Sequence, residues 1–248
     1  MGEGRVTDYG ERYYTPPPLT RLLLERGRWD LMWARRDDRS LTIAEPFAGD
    51  GWISRVLEEA GHDVISGDVN PNALCEHAGV DFFSKRAEEL YAPADIIITN
   101  PPFLAAPACV RRAREFAELV VMLLPLTFLE PCTKKDSSRR ADLVKDACHA
   151  IITPRVSFIR GQDGTDRVPC AWYFWHDLAH TSTEDSERLR TWDVVTEGEY
   201  AAAAGQGYLV ALTEQLEQAV EAKPVLEEPD PEQHQSDLFT ATPDGVRA

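Results

Sequence analysis

The stretch Asp95-Ile96-Ile97-Ile98-Thr99-Asn100-Pro101-Pro102-Phe103 decides the fold class of this 248-residue chain. A short apolar run that ends in turn residues is typical of a strand buried in a parallel sheet. The two prolines stop strand pairing after Asn100, because neither has an N–H to donate and each restricts the residue before it. The sequence therefore predicts that Asn100 and Phe103 lie at the carboxyl end of a strand, where open α/β sheets bind ligands. Taken alone, the same residues fit a purely structural proline loop equally well.

Strand and helix patterns alternate along the rest of the chain. Apolar runs typical of strands occupy residues 41–47, 62–68 and 119–126. This repeated β-α-β order predicts a doubly wound α/β fold with a mostly parallel sheet. Two β-rich runs, 155–158 and 171–175, flank a Gly/Asp loop at 161–166, which predicts a carboxyl-terminal antiparallel hairpin.

Composition indicates an intracellular α/β protein. Hydrophobic residues make up 43% of the chain, and the longest apolar run, Leu119 to Leu126, is too short to span a bilayer. The amino terminus has no apolar segment typical of a signal peptide. The five cysteines are scattered and form no Cys-x-x-Cys pair, which disfavours a metal site or a disulfide framework. We therefore expect a cytoplasmic location, with neither membrane nor metal involved.

Charge and composition divide the chain into three segments. Residues 1–175 hold 22 Lys/Arg and 26 Asp/Glu, a net charge of −4, whereas residues 176–248 hold 4 and 16, a net charge of −12. The acidity therefore does not exclude a polyanionic partner for the main domain. We predict a catalytic or binding domain at 1–180, an acidic helical extension at 181–222 and a disordered acidic tail at 223–248.

A glycine turn and three acidic residues predict a ligand site. Glu45-Pro46-Phe47-Ala48-Gly49-Asp50-Gly51 links a strand to a helix, and glycines there let the backbone approach a ligand. A carboxylate at Glu45 suits a cationic or hydroxyl-bearing ligand better than a pyrophosphate. Asp68 ends the next strand, at the place where a ribose diol is usually bound. Asp81, followed by Phe82, could bind an adenine amino group and cover its ring face.

Four cations lie close together after the strand at 119–126. They are Lys134, Lys135, Arg139 and Arg140. Two interpretations fit these charges equally well: a solvated loop, and a contact with a phosphate backbone at the rim of the site.

Together, the glycine turn, Asp68, Asp81 and Asn100-Pro101-Pro102-Phe103 resemble S-adenosylmethionine-dependent DNA adenine-N6 methyltransferases. Tyr14-Thr15-Pro16, ahead of a helix, is similar to the family's additional cofactor-binding element, and its amino-terminal place implies the γ-type motif order of small, phage-like members. The resemblance implies a Rossmann-like seven-stranded sheet and S-adenosylmethionine as cofactor. It assigns the cofactor to residues Tyr14, Thr15, Pro16, Glu45, Phe47, Ala48, Gly49, Gly51, Asp68, Asp81, Phe82 and Asn100.

The resemblance also implies the chemistry at Asn100. The oxygens of the Asn100 side chain and the Pro101 backbone would accept the two amino hydrogens of an adenine, localising the lone pair on its nitrogen. Pro102 would stiffen the turn, and Phe103 would stack on a base extruded from DNA. Lys134, Lys135, Arg139 and Arg140 would contact the DNA backbone. A Pro-Cys nucleophile, as cytosine-C5 enzymes use, is disfavoured because Pro131-Cys132 and Pro169-Cys170 do not follow the strand that carries the loop.

The same motifs fit other functions. Similar Asn-Pro-Pro-aromatic elements occur in enzymes that methylate protein glutamine or RNA bases, and a non-catalytic binding protein is a further alternative. Gln235-Ser236-Asp237-Leu238-Phe239 resembles the pentapeptide that binds the bacterial sliding clamp, with Ser236 in place of the usual Leu. An inert tail is the competing interpretation of that segment.

Overall fold

The computed structural model describes residues 15–27, 41–130, 143–156, 158, 168–176 and 191–205. Its helices are α1 (Pro17–Arg26), α2 (Trp52–Glu59), α3 (Lys85–Tyr91), α4 (Ala106–Ala113) and α5 (Glu197–Gly205). Its strands are β1 (Thr42–Glu45), β2 (Asp63–Asp68), β3 (His77–Ala78), β4 (Ile96–Thr99), β5 (Leu119–Pro125), β6 (His149–Ile152), β7 (Cys170–His176) and β8 (Thr191–Val194). Short 3-10 helices, Phe103–Ala105 and Leu126–Leu129, follow β4 and β5.

The strands form one sheet in the order β3-β2-β1-β4-β5-β7-β6-β8. Strands β1 to β5 pair in parallel, β7 is antiparallel to both β5 and β6, and β8 is parallel to β6. The order reverses between β1 and β4, which makes their carboxyl ends the topological switch point of the sheet. The doubly wound, mostly parallel sheet with a carboxyl-terminal antiparallel pair is confirmed, but the described residues contribute eight strands to it rather than seven.

The first strand of the antiparallel pair lies earlier than the sequence predicted. The described part of the run 155–158 contains no strand: β6 ends at Ile152, and the pairing described within that run is an isolated bridge between Val156 and Val168. Pro154 explains the shift, because it has no N–H to continue the ladder beyond Thr153. The second strand, β7, lies where residues 171–175 predicted it.

Helices cover both faces of the sheet, as the continuous apolar strands require. Ile96 and Ile98 pack in one core with α1, α2 and α5, whereas Ile97 packs in the other with α3 and α4. All three isoleucine side chains are fully buried. The position of β4 in the middle of the sheet therefore follows directly from the run of isoleucines.

The sheet domain continues beyond residue 180, where the sequence analysis placed its end. Strand β8 pairs with β6, and Ala203 of α5 belongs to the core that contains α1. Arg26 of α1 donates to Asp193 of β8 at 2.7 Å, which ties the two elements together at the surface. Part of the predicted acidic extension is therefore structural. The predicted helix at 208–222 and the tail lie outside the described residues.

Among the described helices, none is long and apolar enough to cross a membrane.

Candidate active site

A pocket of about 230 Å³ opens at the switch point of the sheet. It brings together side chains from three separate segments: the residues before α1, the turn after β1 and the end of β4. Residues that line it include Thr15, Glu45, Phe47, Ala48, Asp50 and Asn100. Five of these six were predicted from the sequence. No role was predicted for Asp50, although its position between the two glycines of the turn indicated that it would lie at the site.

Asn100 lines this pocket and carries a buried acceptor atom. Its side-chain Nδ2 donates to Oγ1 of Thr15 at 3.1 Å, and Thr15 is only 4% exposed. The other end of the amide, Oδ1, is buried and accepts no hydrogen bond from the residues that the structure describes. A buried carbonyl oxygen without a donor costs roughly 1–3 kcal/mol. The arrangement is therefore suited to a ligand that brings an N–H to Oδ1.

The residues after Asn100 differ in exposure. Pro101 is buried and Pro102 is exposed, so the chain turns outward between them. Phe103 is partly buried, and its ring meets that of Phe158 edge to face with 6.3 Å between centroids. Leu104 is fully exposed, at the tip of the 3-10 turn closed by the hydrogen bond from Ala105 to Pro102. The sequence analysis assigned no role to Leu104, and an isolated leucine in a loop gives no signal of its exposure.

The glycine turn is built on two residues with positive φ. Gly49 has φ +54° and Gly51 has φ +76°, a backbone conformation that favours glycine. A Cβ at Gly51 would lie 2.6 Å from the carbonyl oxygen of Leu74, whereas one at Gly49 would meet no atom within 4 Å. Gly51 is therefore required by packing, and the open space above Gly49 leaves its backbone accessible to a ligand.

Glu45 is a buried carboxyl group at the pocket wall. It is 1% exposed, and one of its oxygens accepts a hydrogen bond from the hydroxyl of Ser54 in α2. Burial raises the pKa of Glu45 to about 8, and the negative charges of Asp68 and Glu58 add to this, against the opposing effect of Ser54. A cation bound beside it would favour the ionised form.

Asp68 holds the glycine turn in place. Its Oδ2 accepts from the amide of Gly49 at 2.9 Å, and its Oδ1 accepts from the amide of Asn70 at 2.7 Å. The carboxylate predicted to bind a ribose diol thus has one backbone donor on each oxygen.

Asp81 and Phe82 lie apart from the described pocket. The exposed carboxylate of Asp81 accepts from the amide of Phe83 at 2.9 Å, in a turn that leads into α3. Phe82 is 1% exposed and packs edge to face against Phe47, with 5.1 Å between ring centroids. Phe83 beside it is 49% exposed. The ring that can reach a ligand from solvent is therefore that of Phe83.

Some predicted residues cannot be placed. Three predicted elements lie outside the described residues: Tyr14, the four cations Lys134, Lys135, Arg139 and Arg140, and the tail motif Gln235–Phe239. Their roles remain predictions. In the described part of the chain, no group of three or more His, Cys, Asp or Glu residues is arranged to hold a metal ion.

The Pro169-Cys170 dipeptide does not provide a nucleophile. Cys170 is fully buried at the first position of β7, where it pairs with Pro125. Burial raises the pKa of its thiol to about 12, so the reactive thiolate is scarce at neutral pH. Pro131-Cys132 lies outside the described residues.

Comparisons with solved structures agree with this architecture. No protein-family model and no curated protein matches the sequence. A proposed class I S-adenosylmethionine-dependent methyltransferase from Listeria monocytogenes superposes with a TM-score of 0.51 at 10% identity, over 83% of this chain and 71% of that one. A proposed RNA methyltransferase from Pyrococcus horikoshii gives 0.48 at 21% identity, over 67% and 86%. The fold of this chain is the Rossmann-like fold that class I methyltransferases have.

Proposed function

We propose that this protein transfers a methyl group from S-adenosylmethionine to an exocyclic amine, and that the amine is N6 of adenine in DNA. One observation carries the proposal: Asn100 lines the pocket, and its buried Oδ1 has no donor from the described residues. An amino group with two hydrogens is a ligand that satisfies such an acceptor. The residues around Asn100 match those of the methyltransferases that the sequence resembles.

The pocket suits the methionine end of the cofactor. Glu45 and Asp50 provide carboxyl groups for a ligand that carries an ammonium and a sulfonium, and the space above Gly49 admits its chain. The lining of the pocket includes Glu45, Asp50 and Asn100 but not Asp68, Asp81 or Phe83. The adenosine end would therefore lie outside it, along Asp68, Asp81 and Phe83. The place of Thr15 at the pocket, ahead of α1, supports the γ-type motif order.

When bound, S-adenosylmethionine would supply an electrophilic methyl group. Asn100 Oδ1 would accept one amino hydrogen, and the carbonyl of Pro101 would accept the other. Because these acceptors draw both hydrogens away, the lone pair localises on the nitrogen and points toward the methyl donor. The fixed geometry adds the benefit of proximity, and no strong base is needed before attack.

The choice of adenine in DNA rests on the resemblance of the motifs. The target base must leave the duplex to reach Asn100. The residues proposed to contact the base or the DNA backbone are Phe103, Lys134, Lys135, Arg139 and Arg140. An RNA base or a protein glutamine would place a similar nitrogen at the same atoms. These remain the alternatives to DNA, together with a non-catalytic binding role.

The test is methyl transfer from labelled S-adenosylmethionine to unmethylated duplex DNA, RNA and ribosomal proteins, assayed in parallel. We expect label in DNA, released as N6-methyladenine on digestion. Asn100→Ala should lower transfer at least about 100-fold, since an acceptor aimed at the reacting group is lost. The control is calorimetric titration with a non-reactive cofactor analogue, which Asn100→Ala should bind with nearly the affinity of the parent. Label in RNA or protein alone would overturn the DNA assignment, and full activity of Asn100→Ala would overturn the mechanism.

We also propose that Gln235–Phe239 binds the bacterial sliding clamp. The support is the sequence alone, through the apolar pair Leu238 and Phe239 in an acidic tail. Pull-down by the clamp should retain the parent chain and lose the Leu238→Ala/Phe239→Ala variant. Equal retention of the two would contradict the proposal.

A further inference from the structure

The contact between Thr15 and Asn100 joins two segments that are 85 residues apart in the chain. We propose that Thr15 is a positioning residue: its hydroxyl anchors the Asn100 amide so that Oδ1 stays directed at the amine. This inference rests on the proposed function, because it concerns how the acceptor for that amine is positioned. It adds to the cofactor-binding role that the motif resemblance gives to Thr15.

Thr15 is a rigid anchor. Its side chain is 4% exposed, and Pro16, with φ −56°, follows it directly and begins α1. Helix α1 is in turn fixed to the sheet, since the carbonyl of Leu19 accepts from the indole of Trp172 at 3.1 Å. The position of the Thr15 oxygen is therefore set by the core rather than by a loop.

Asn100 needs such an anchor, because strand pairing stops at its own position. The ladder of β4 ends at Thr99, and Pro101 has no N–H with which to continue it. Without Thr15, the described residues would leave both ends of the Asn100 amide unbonded. Rotation of the amide by about 180° would then turn Nδ2, a donor, toward the hydrogens of the amine. A shift of about 1 Å at a catalytic group can cost about 100-fold in rate.

Two variants test the anchor directly. Thr15→Val has the same shape but no acceptor, and Thr15→Ser keeps the hydroxyl. We expect Thr15→Val to lower kcat about 10-fold or more, a larger factor than its effect on KM for S-adenosylmethionine. Thr15→Ser should stay within about 3-fold of the parent in both constants. Thermal unfolding of both variants shows whether the loss in kcat follows a loss of folded protein.

A spectroscopic measurement tests the contact without relying on turnover. The Nδ2 signals of Asn100, identified by their loss in Asn100→Ser, should shift in the ¹H–¹⁵N spectrum of Thr15→Val and remain in place in Thr15→Ser. Unchanged signals in Thr15→Val would overturn the anchor. So would a Thr15→Val enzyme that loses cofactor affinity while its kcat is unchanged.

The two proposals fail in different ways. If the parent protein transfers no methyl group to any of the three substrates, the proposed function fails, whereas the shift of the Asn100 signals still supports the contact. If transfer occurs and Thr15→Val matches the parent in kcat, the positioning role fails and the proposed function stands.

Discussion

The amide of Gly49 donates to Oδ2 of Asp68 at 2.9 Å, so the carboxylate at the end of β2 fixes the turn that follows β1. The same carboxylate accepts from Asn70 through Oδ1, and the carbonyl of Gly49 accepts from the amide of Leu74 at 2.8 Å. The two loops at this edge of the sheet therefore hold each other. Changes at either loop should alter stability and ligand binding together.

Removal of the Asp68 carboxylate should destabilise the protein. Asp68→Ala leaves two partly buried backbone donors without an acceptor, which should lower the free energy of unfolding by about 2–4 kcal/mol. Asp68→Asn keeps one acceptor oxygen and should lose about half as much. Urea denaturation measures both, with Glu89→Ala, an exposed acid in α3, as the control. A loss in Asp68→Ala no larger than that of the control would contradict the expected role.

Gly51 should tolerate substitution less well than Gly61. Both have positive φ, so alanine at either position is strained by roughly 1–2 kcal/mol. At Gly51 the new methyl would also lie 2.6 Å from the carbonyl of Leu74, whereas at Gly61 it meets no atom within 4 Å. We expect Gly51→Ala to be the more destabilising by about 1–3 kcal/mol and to weaken cofactor binding. Equal losses on denaturation would show that the turn can move without cost.

The sequence was sufficient to predict the sheet, because buried strands and their ends depend on local patterns. Three isoleucines before two prolines define a buried strand and its end, whatever surrounds them. The sequence could not show which face of a short segment is buried, and so it assigned to Phe82 the exposure that belongs to Phe83. It also could not show that Ser54 would contact Glu45 or that Thr15 would contact Asn100, because these pairs form only when separate elements pack.

The buried Glu45 should make stability depend on pH. Its pKa in the folded protein is about 8, above the ordinary value of 4.5, so the folded state holds a proton that the unfolded chain releases between these values. This contribution is fully present below about pH 4.5 and is lost as the pH rises through about 8. As the pH rises across this range, the unfolding free energy of the parent should therefore fall relative to that of Glu45→Gln. A difference that is constant with pH would mean that Glu45 ionises normally in the folded protein.

The hydroxyl of Tyr91 lies 2.1 Å from where a Cβ at Gly67 would stand. Gly67→Ala should therefore displace the buried ring and lower the free energy of unfolding by about 1–3 kcal/mol. Tyr91→Phe removes an oxygen that has no partner among the described residues, so alone it should be nearly neutral or stabilising. In the double variant the methyl at residue 67 would lie 3.3 Å from both the ring carbon of residue 91 and the carbonyl oxygen of His77, and most of the loss should be recovered. A double-mutant cycle by urea denaturation measures this coupling, and strict additivity would show that the two residues do not share the space.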